Sequence, residues 1–149
     1  MSTPPDASAV YRHYLSAIMQ HAHASAKECG LGASDLYALN TLDLLGPMTP
    51  GELGARTGLT TGPVTRLIDR LEAAGYVRRV PSTEDRRKVS VEPVGTPARL
   101  DEVMAPARRG VGQIIQGYSP EERAVLFDYF ARAATAYQEA TGALRHAAE

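Results

Sequence analysis

Between residues 61 and 93 the spacing of apolar residues changes abruptly, and few folds accommodate the change. In "PVTRLIDRLEAAG", Val64, Leu67, Ile68 and Leu71 recur at three- and four-residue steps, the period of a helix with one buried face. Past Gly75, "YVRRV" and "KVSVEPV" place β-branched residues at two-residue steps, the period of strands. Gly75 is the natural stop of the helix. Pro81 and Pro93 bound the two strands, and Ser82 to Arg87 connect them as a hairpin.

The residues before this helix carry strong punctuation. In "TPGELGARTG", Thr49 caps a short helix, Pro50 fills its first turn, and Glu52 reaches back to close a capping box. Leu53 is its apolar contact and Gly58 ends it. The next helix begins within two or three residues, with Thr60 or Thr61 as its cap. Two helices joined by so short a turn, the second followed by a twisted hairpin, make a winged helix-turn-helix. The second helix of such a unit fits a major groove, and the hairpin lies over the adjacent backbone or minor groove.

Long helices flank this middle. Val10, Tyr11, Tyr14, Leu15, Ile18, Met19 and Ala22 form one stripe over residues 8–29, stopped by Gly30. Ser34 reads as the cap of a helix bearing Leu36, Leu39, Leu42 and Leu45, ended by Gly46-Pro47. From Thr96 a third stripe carries Leu100, Val103, Met104, Ala107, Val111, Ile114 and Ile115, with a kink expected at Pro106, Gly110 and Gly112. "SPEE" at 119–122 repeats the cap-proline-acid signature and opens a last helix bearing Val125, Leu126, Phe130, Ala133, Tyr137 and Leu144. The expected class is mainly α with a small β-hairpin wing. The outer stripes exceed what the small middle can cover.

The charge is uneven. The chain of 149 residues has a formal charge of −1, which alone argues against nucleic acid. From Arg56 to Lys88, however, eight basic residues stand against four acidic ones, leaving +4 there and −5 in the remainder. A basic middle suits a face turned to a polyanion. On a helical wheel Val64, Leu67, Ile68 and Leu71 face inward. Gly62, Arg66, Asp69 and Ala73 face out, flanked by Thr61, Thr65 and Arg70. Gly62 lets the backbone come close, and Arg66 suits a bidentate contact to guanine. Thr60, Thr61 and Thr65 suit phosphates or bases near the helix N-terminus. Asp69 is expected to pair with Arg66 or Arg70, or to accept from a cytosine. Arg86, Arg87 and Lys88 fall at the wing tip, where a narrow minor groove attracts arginine. Asp85 and Glu84 are expected to brace the guanidinium groups.

Residues 47–91 resemble the MarR family of bacterial transcription regulators. The specific elements are "VTRLIDRLEAAGYVRR" and the wing "DRR", in which Asp85 and Arg87 have the family's Asp-x-Arg spacing. The resemblance implies one domain over 1–149. Residues 34–94 would be the winged helix-turn-helix DNA-binding lobe, with long N- and C-terminal dimerisation helices at 8–30 and 97–147. It implies a homodimer on a pseudo-palindrome and a repressor released by a small aromatic or phenolic effector. The effector pocket would draw on Tyr11, Tyr14, Met19, Tyr37 and Met104. "VSVEPVGTPARL" replaces the family's usual Leu-Thr-x-x-Gly entry to the next helix, and Gly62-Pro63 is unusual in the recognition helix.

Three other readings are weaker. Thiol sensors of this family carry a reactive cysteine near the start of the first helix, whereas Cys29 lies at its end beside Glu28, a poor place for a thiolate. A redox role for Cys29 is therefore an alternative, as is a winged helix used for protein–protein contact without DNA. An apolar surface would be expected in place of Arg66, Arg86 and Arg87 in that second case. His21 and His23 point to different faces, His13 shares their helix, and His146 stands alone, so no metal is expected. No cofactor and no enzymatic activity are expected either, since neither paired carboxylates nor a phosphate loop is present. The partners expected are double-stranded DNA, a second copy of the chain and a small-molecule effector. No membrane is expected, and a cytoplasmic location follows from the lack of a signal segment or spanning run.

Overall fold

The computed structural model describes residues 6–95 and 98–147, apart from the side chain of His146. Thr96 and Pro97, where the sequence places the entry to the third stripe, lie outside the described residues. In chain order the elements are α1 (Ala7–Glu28), α2 (Ala33–Leu45), α3 (Pro50–Thr57), α4 (Thr61–Ala73), β1 (Val77–Pro81), β2 (Val89–Pro93), α5 (Ala98–Gln116) and α6 (Pro120–His146). The chain packs as two units, Met1–Ala105 and Pro106–Glu149.

The first unit holds the core. Ala38, Leu39, Leu42, Leu53, Val64, Leu67, Ile68, Leu71, Tyr76, Val77, Val91 and Leu100 are all buried together with Met48. The four inward residues expected of α4 are therefore the four that it buries. Tightness at the helix-turn-helix corner comes from glycine. Gly58 ends α3 in the left-handed region at φ 74°, which other residues rarely adopt. A Cβ on Gly54 would lie 2.9 Å from the carbonyl oxygen of Leu59, so the turn between α3 and α4 folds back on α3 at a distance only glycine permits.

Capping follows the sequence at two helices and departs from it at a third. Thr49 Oγ1 accepts from the Glu52 N–H at 3.2 Å, while the Thr49 N–H donates to Glu52 Oε2 at 2.7 Å. Ser119 and Glu122 repeat the box at α6, at 3.2 and 2.8 Å. At α2 the cap is Gly32, not Ser34. The helix starts one residue before Ser34, and the Asp35 carboxylate accepts from the Gly32 N–H at 2.9 Å. Gly32 has no side chain to cap the first turn, and the carboxylate three residues along supplies only the reciprocal bond, to the N–H of the cap residue itself.

The strands pair antiparallel, with Val77 opposite Pro93, Arg79 opposite Val91 and Pro81 opposite Val89. Residues 82–88 connect them. A short third element joins this sheet: Met48 and Val91 exchange both backbone hydrogen bonds, at 3.1 and 2.8 Å. Two prolines and a threonine around Met48 hid this bridge from a reading based on period. Arg99 in α5 pairs with Glu28 at the end of α1.

In the second unit, α5 continues helical through Pro106, Gly110 and Gly112. Phe130 makes edge-to-face contacts with Phe127 and Tyr129, at centroid separations of 6.5 and 5.8 Å. Among the described residues of this unit no side chain is buried. Ile114 is 64% exposed, Val125 70% and Leu144 74%.

Candidate nucleic-acid interface

The outward strip of α4 is as the wheel places it, with Gly62, Thr65, Arg66, Asp69 and Ala73 all exposed. Thr60 is the N-cap of α4, but its side chain makes no capping hydrogen bond, unlike the boxes that close α3 and α6. The first-turn N–H groups of α4 are therefore left open toward an anion, apart from Pro63, which has none. Thr65 differs from its neighbours. Its hydroxyl donates to the Thr61 carbonyl at 2.8 Å, so it can accept from a base but has no proton for a phosphate. A Cβ on Gly62 would meet only the Arg66 guanidinium, at 3.5 Å, so the outer side of that backbone stands open.

The structure sorts the basic residues of α4 and the hairpin into two groups. Arg70 Nη2 pairs at 2.7 Å with Asp35, a carboxylate only 6% exposed, and so ties α4 to α2. Arg78 pairs across the hairpin with Glu92 at 2.5 Å. Arg79 reaches from β1 to two carboxylates of α4, Asp69 at 2.7 Å and Glu72 at 2.5 Å. Asp69 thus pairs with neither Arg66 nor Arg70. The hairpin brings Arg79 alongside, a long-range contact that residue spacing on one helix does not reveal. The second group is Arg66, Arg86, Arg87 and Lys88. Their side chains are exposed, and among the described residues no carboxylate pairs with them. Of the nine residues singled out by sequence for DNA, Arg70 alone has its guanidinium committed to an ion pair within the lobe.

The wing tip is braced differently from expectation. Asp85 Oδ1 accepts from the backbone N–H of Arg87 at 3.0 Å, and its carbonyl accepts from Lys88 N–H at 2.9 Å. The Glu84 N–H donates to Ser82 Oγ at 3.3 Å. Asp85 therefore fixes the backbone of the turn, in the manner of an aspartate closing an Asx turn. The neighbouring guanidinium groups are left free.

Backbone bonds and burial set the electrostatics of the acids. The Thr49 N–H and hydroxyl hold the Glu52 carboxyl below its ordinary value of 4.5, and the Arg79 backbone N–H and guanidinium do the same for Glu72. The hydrogen bond to Asp69, with that to Glu72, pushes the Arg79 guanidinium above its ordinary value. Burial raises the Tyr76 phenol.

The residues proposed for an effector occupy three helices. Tyr14 and Met19 are exposed on α1, Tyr11 is half-buried, and Met104 packs against the core. Tyr37 is 52% exposed and its hydroxyl donates to the Arg56 carbonyl at 3.5 Å. Cys29 is half-buried against the core at the end of α1. His21 lies 3.4 Å from Ser25 Oγ.

A reading helix in the second position of a helix-turn-helix, beside a hairpin with a basic tip, defines a winged helix-turn-helix protein of the DNA-binding class. The chain belongs to the MarR family, whose sequence profile matches residues 30–88. It is 38% identical over 117 residues to the uncharacterized HTH-type transcriptional regulator YcgE of Bacillus subtilis, spanning 78% of this chain and 76% of that one. A MarR family protein from Bacillus stearothermophilus superposes with a TM-score of 0.63 over 90% of this chain and 92% of its own, at 25% identity. A point mutant of MepR from S. aureus, solved bound to an oligodeoxyribonucleotide, shares the fold with a TM-score of 0.59 over 89% and 98%, at 16% identity. The chain is thus a transcription regulator and not an enzyme. No helix among the described residues is long and apolar enough to cross a membrane.

Proposed function

We propose that the chain is a homodimeric, sequence-specific repressor of a pseudo-palindromic operator, released by a small aromatic or phenolic effector. One observation carries the DNA contact: the lobe pairs Arg70, Arg78 and Arg79 internally yet leaves Arg66, Arg86, Arg87 and Lys88 unpaired at the reading helix and wing tip. Unpaired guanidinium groups at those two places match guanine edges and a narrow groove. In this reading Thr60, Thr61 and Gly62 meet phosphate, Thr65 accepts from a base, and Arg70 positions the helix from behind. The oligodeoxyribonucleotide held by MepR is in keeping with this use of the fold.

The dimer is supported by the apolar side chains left exposed on α1, α5 and α6, including Ile18, Ile114, Phe127 and Tyr137. A two-fold pair would present two reading helices about one duplex turn apart. Repression and release rest on the family resemblance, with Tyr11, Tyr14, Met19, Tyr37 and Met104 as the first residues to test.

Selection of bound duplexes from a random pool, followed by salt titration, tests the reading. Recovered duplexes should share two inverted half-sites. Affinity should fall by about 10³-fold or more between 50 and 200 mM salt if six or more phosphates are met. Candidate aromatic acids should release the complex. No enrichment at low salt would overturn the proposal.

A further inference from the structure

We propose that Arg79 is a positioning residue for DNA reading, and that it keeps the carboxylate of Asp69 from repelling the duplex. The inference rests on the DNA-binding reading above and concerns how the same surface is tuned. Asp69 follows Arg66 by three residues and Gly62 by seven, so it lies on the same outward strip of α4. Its side chain is 59% exposed. A bare carboxylate on that strip faces phosphates across little solvent and opposes their approach.

Arg79 answers this from outside the helix. Its Nη2 donates to Asp69 Oδ1 at 2.7 Å, its Nη1 donates to Glu72 Oε2 at 2.5 Å, and its backbone N–H donates to Glu72 Oε1 at 3.0 Å. One planar fork thus spans two carboxylates a helical turn apart, which a lysine ammonium cannot match. Arg79 is only 28% exposed, so the contact is less diluted by water than that of an ordinary surface pair. The alternative partners of Asp69 are not available. Arg70 is turned to Asp35, and Arg66 points along the strip without pairing.

The arrangement has two separable consequences. Arg79 fastens β1, and with it the wing, to α4. It also places a positive charge on Asp69, so that the strip shows Arg66 to the duplex without a competing anion. A mere strut would provide only the first. The second predicts that removing Asp69 relieves the loss of Arg79.

The experiment measures operator affinity at fixed salt for the full-length wild type, Arg79→Gln, Asp69→Asn and the double variant, with thermal unfolding of each. Asp69→Asn alone should bind within about twofold of wild type. Arg79→Gln should bind about tenfold more weakly, and the double variant should recover most of that loss, since contacting residues couple. Should Arg79→Gln fail to fold, Arg79→Lys keeps the charge but not the fork, and Asp69→Asn should again relieve its smaller defect. A double variant that binds no better than the single arginine variant overturns the proposal. So does a loss of base discrimination in Asp69→Asn, which would make Asp69 itself a reader of cytosine. A wild-type chain that ignores every duplex overturns the DNA-binding reading as well, whereas missing relief overturns this inference alone.

Discussion

Arg66 and Arg70 sit four residues apart on one helix and do different work. Arg70 points back to a buried carboxylate on α2, and Arg66 points out with nothing to hold it. Replacing Arg66 by alanine should cost about 1–3 kcal/mol of operator binding and relax specificity at one position per half-site. Competition between single-base operator variants measures this. An equal loss across all sequences would reduce Arg66 to a phosphate contact. The distinction was only partly legible in the sequence. Helical spacing gave the outward strip correctly, because it depends on one element alone. It could not give Asp69 its pairing partner, because Arg79 arrives from a strand, and the place of Asp85 beside two arginines suggested a brace for their guanidinium groups where the structure shows it holding the Arg87 amide.

At the scale of elements, the helix-turn-helix corner depends on Gly54 and the capping box of α3. A methyl group on Gly54 would meet the Leu59 carbonyl of the turn, not a flexible side chain, so the turn must shift. Gly54→Ala should destabilise the fold by about 1–3 kcal/mol, read by thermal or denaturant unfolding. Unchanged stability would show that the corner gives more easily than its packing suggests. The box also makes stability depend on pH. Glu52 has its folded pKa lowered by the Thr49 bonds, so the unfolded chain takes up its proton first as pH falls. Its contribution is present above the ordinary value of 4.5 and is lost on acidification through the folded pKa. Glu72 acts in the same direction through Arg79. Glu52→Gln keeps a hydrogen-bonding amide but removes the titration, so melting temperature should fall less steeply below that pH. An identical slope would place the acid sensitivity elsewhere. The caps of α3 and α6 were readable because each signature is local. The cap of α2 was not, since Asp35 serves Gly32 and Arg70 together, and only the fold brings Arg70 there.

At the scale of the molecule, burial is unequal. Among the described residues the first unit encloses thirteen apolar side chains in one core, while α6, of 27 residues, buries none. A long helix gains most of its stability by packing an apolar face. With Val125, Phe127, Tyr129, Tyr137 and Leu144 all exposed, α6 needs a further surface to hold it. If that surface is a second copy, folding and association are one equilibrium, and melting temperature must rise with protein concentration. A dilution series by calorimetry over two decades of concentration reads this directly. Arg87 stands at the other extreme, exposed and unpaired at the wing tip, so it should contribute to binding and not to assembly. Arg87→Ala should therefore weaken operator binding while its melting temperature moves with concentration as the wild type's does. A melting temperature independent of concentration would mean that α5 and α6 are stable without a partner copy. Wild-type affinity in Arg87→Ala would remove the wing tip from recognition and leave Arg66 and the open N-terminus of α4 to hold the duplex.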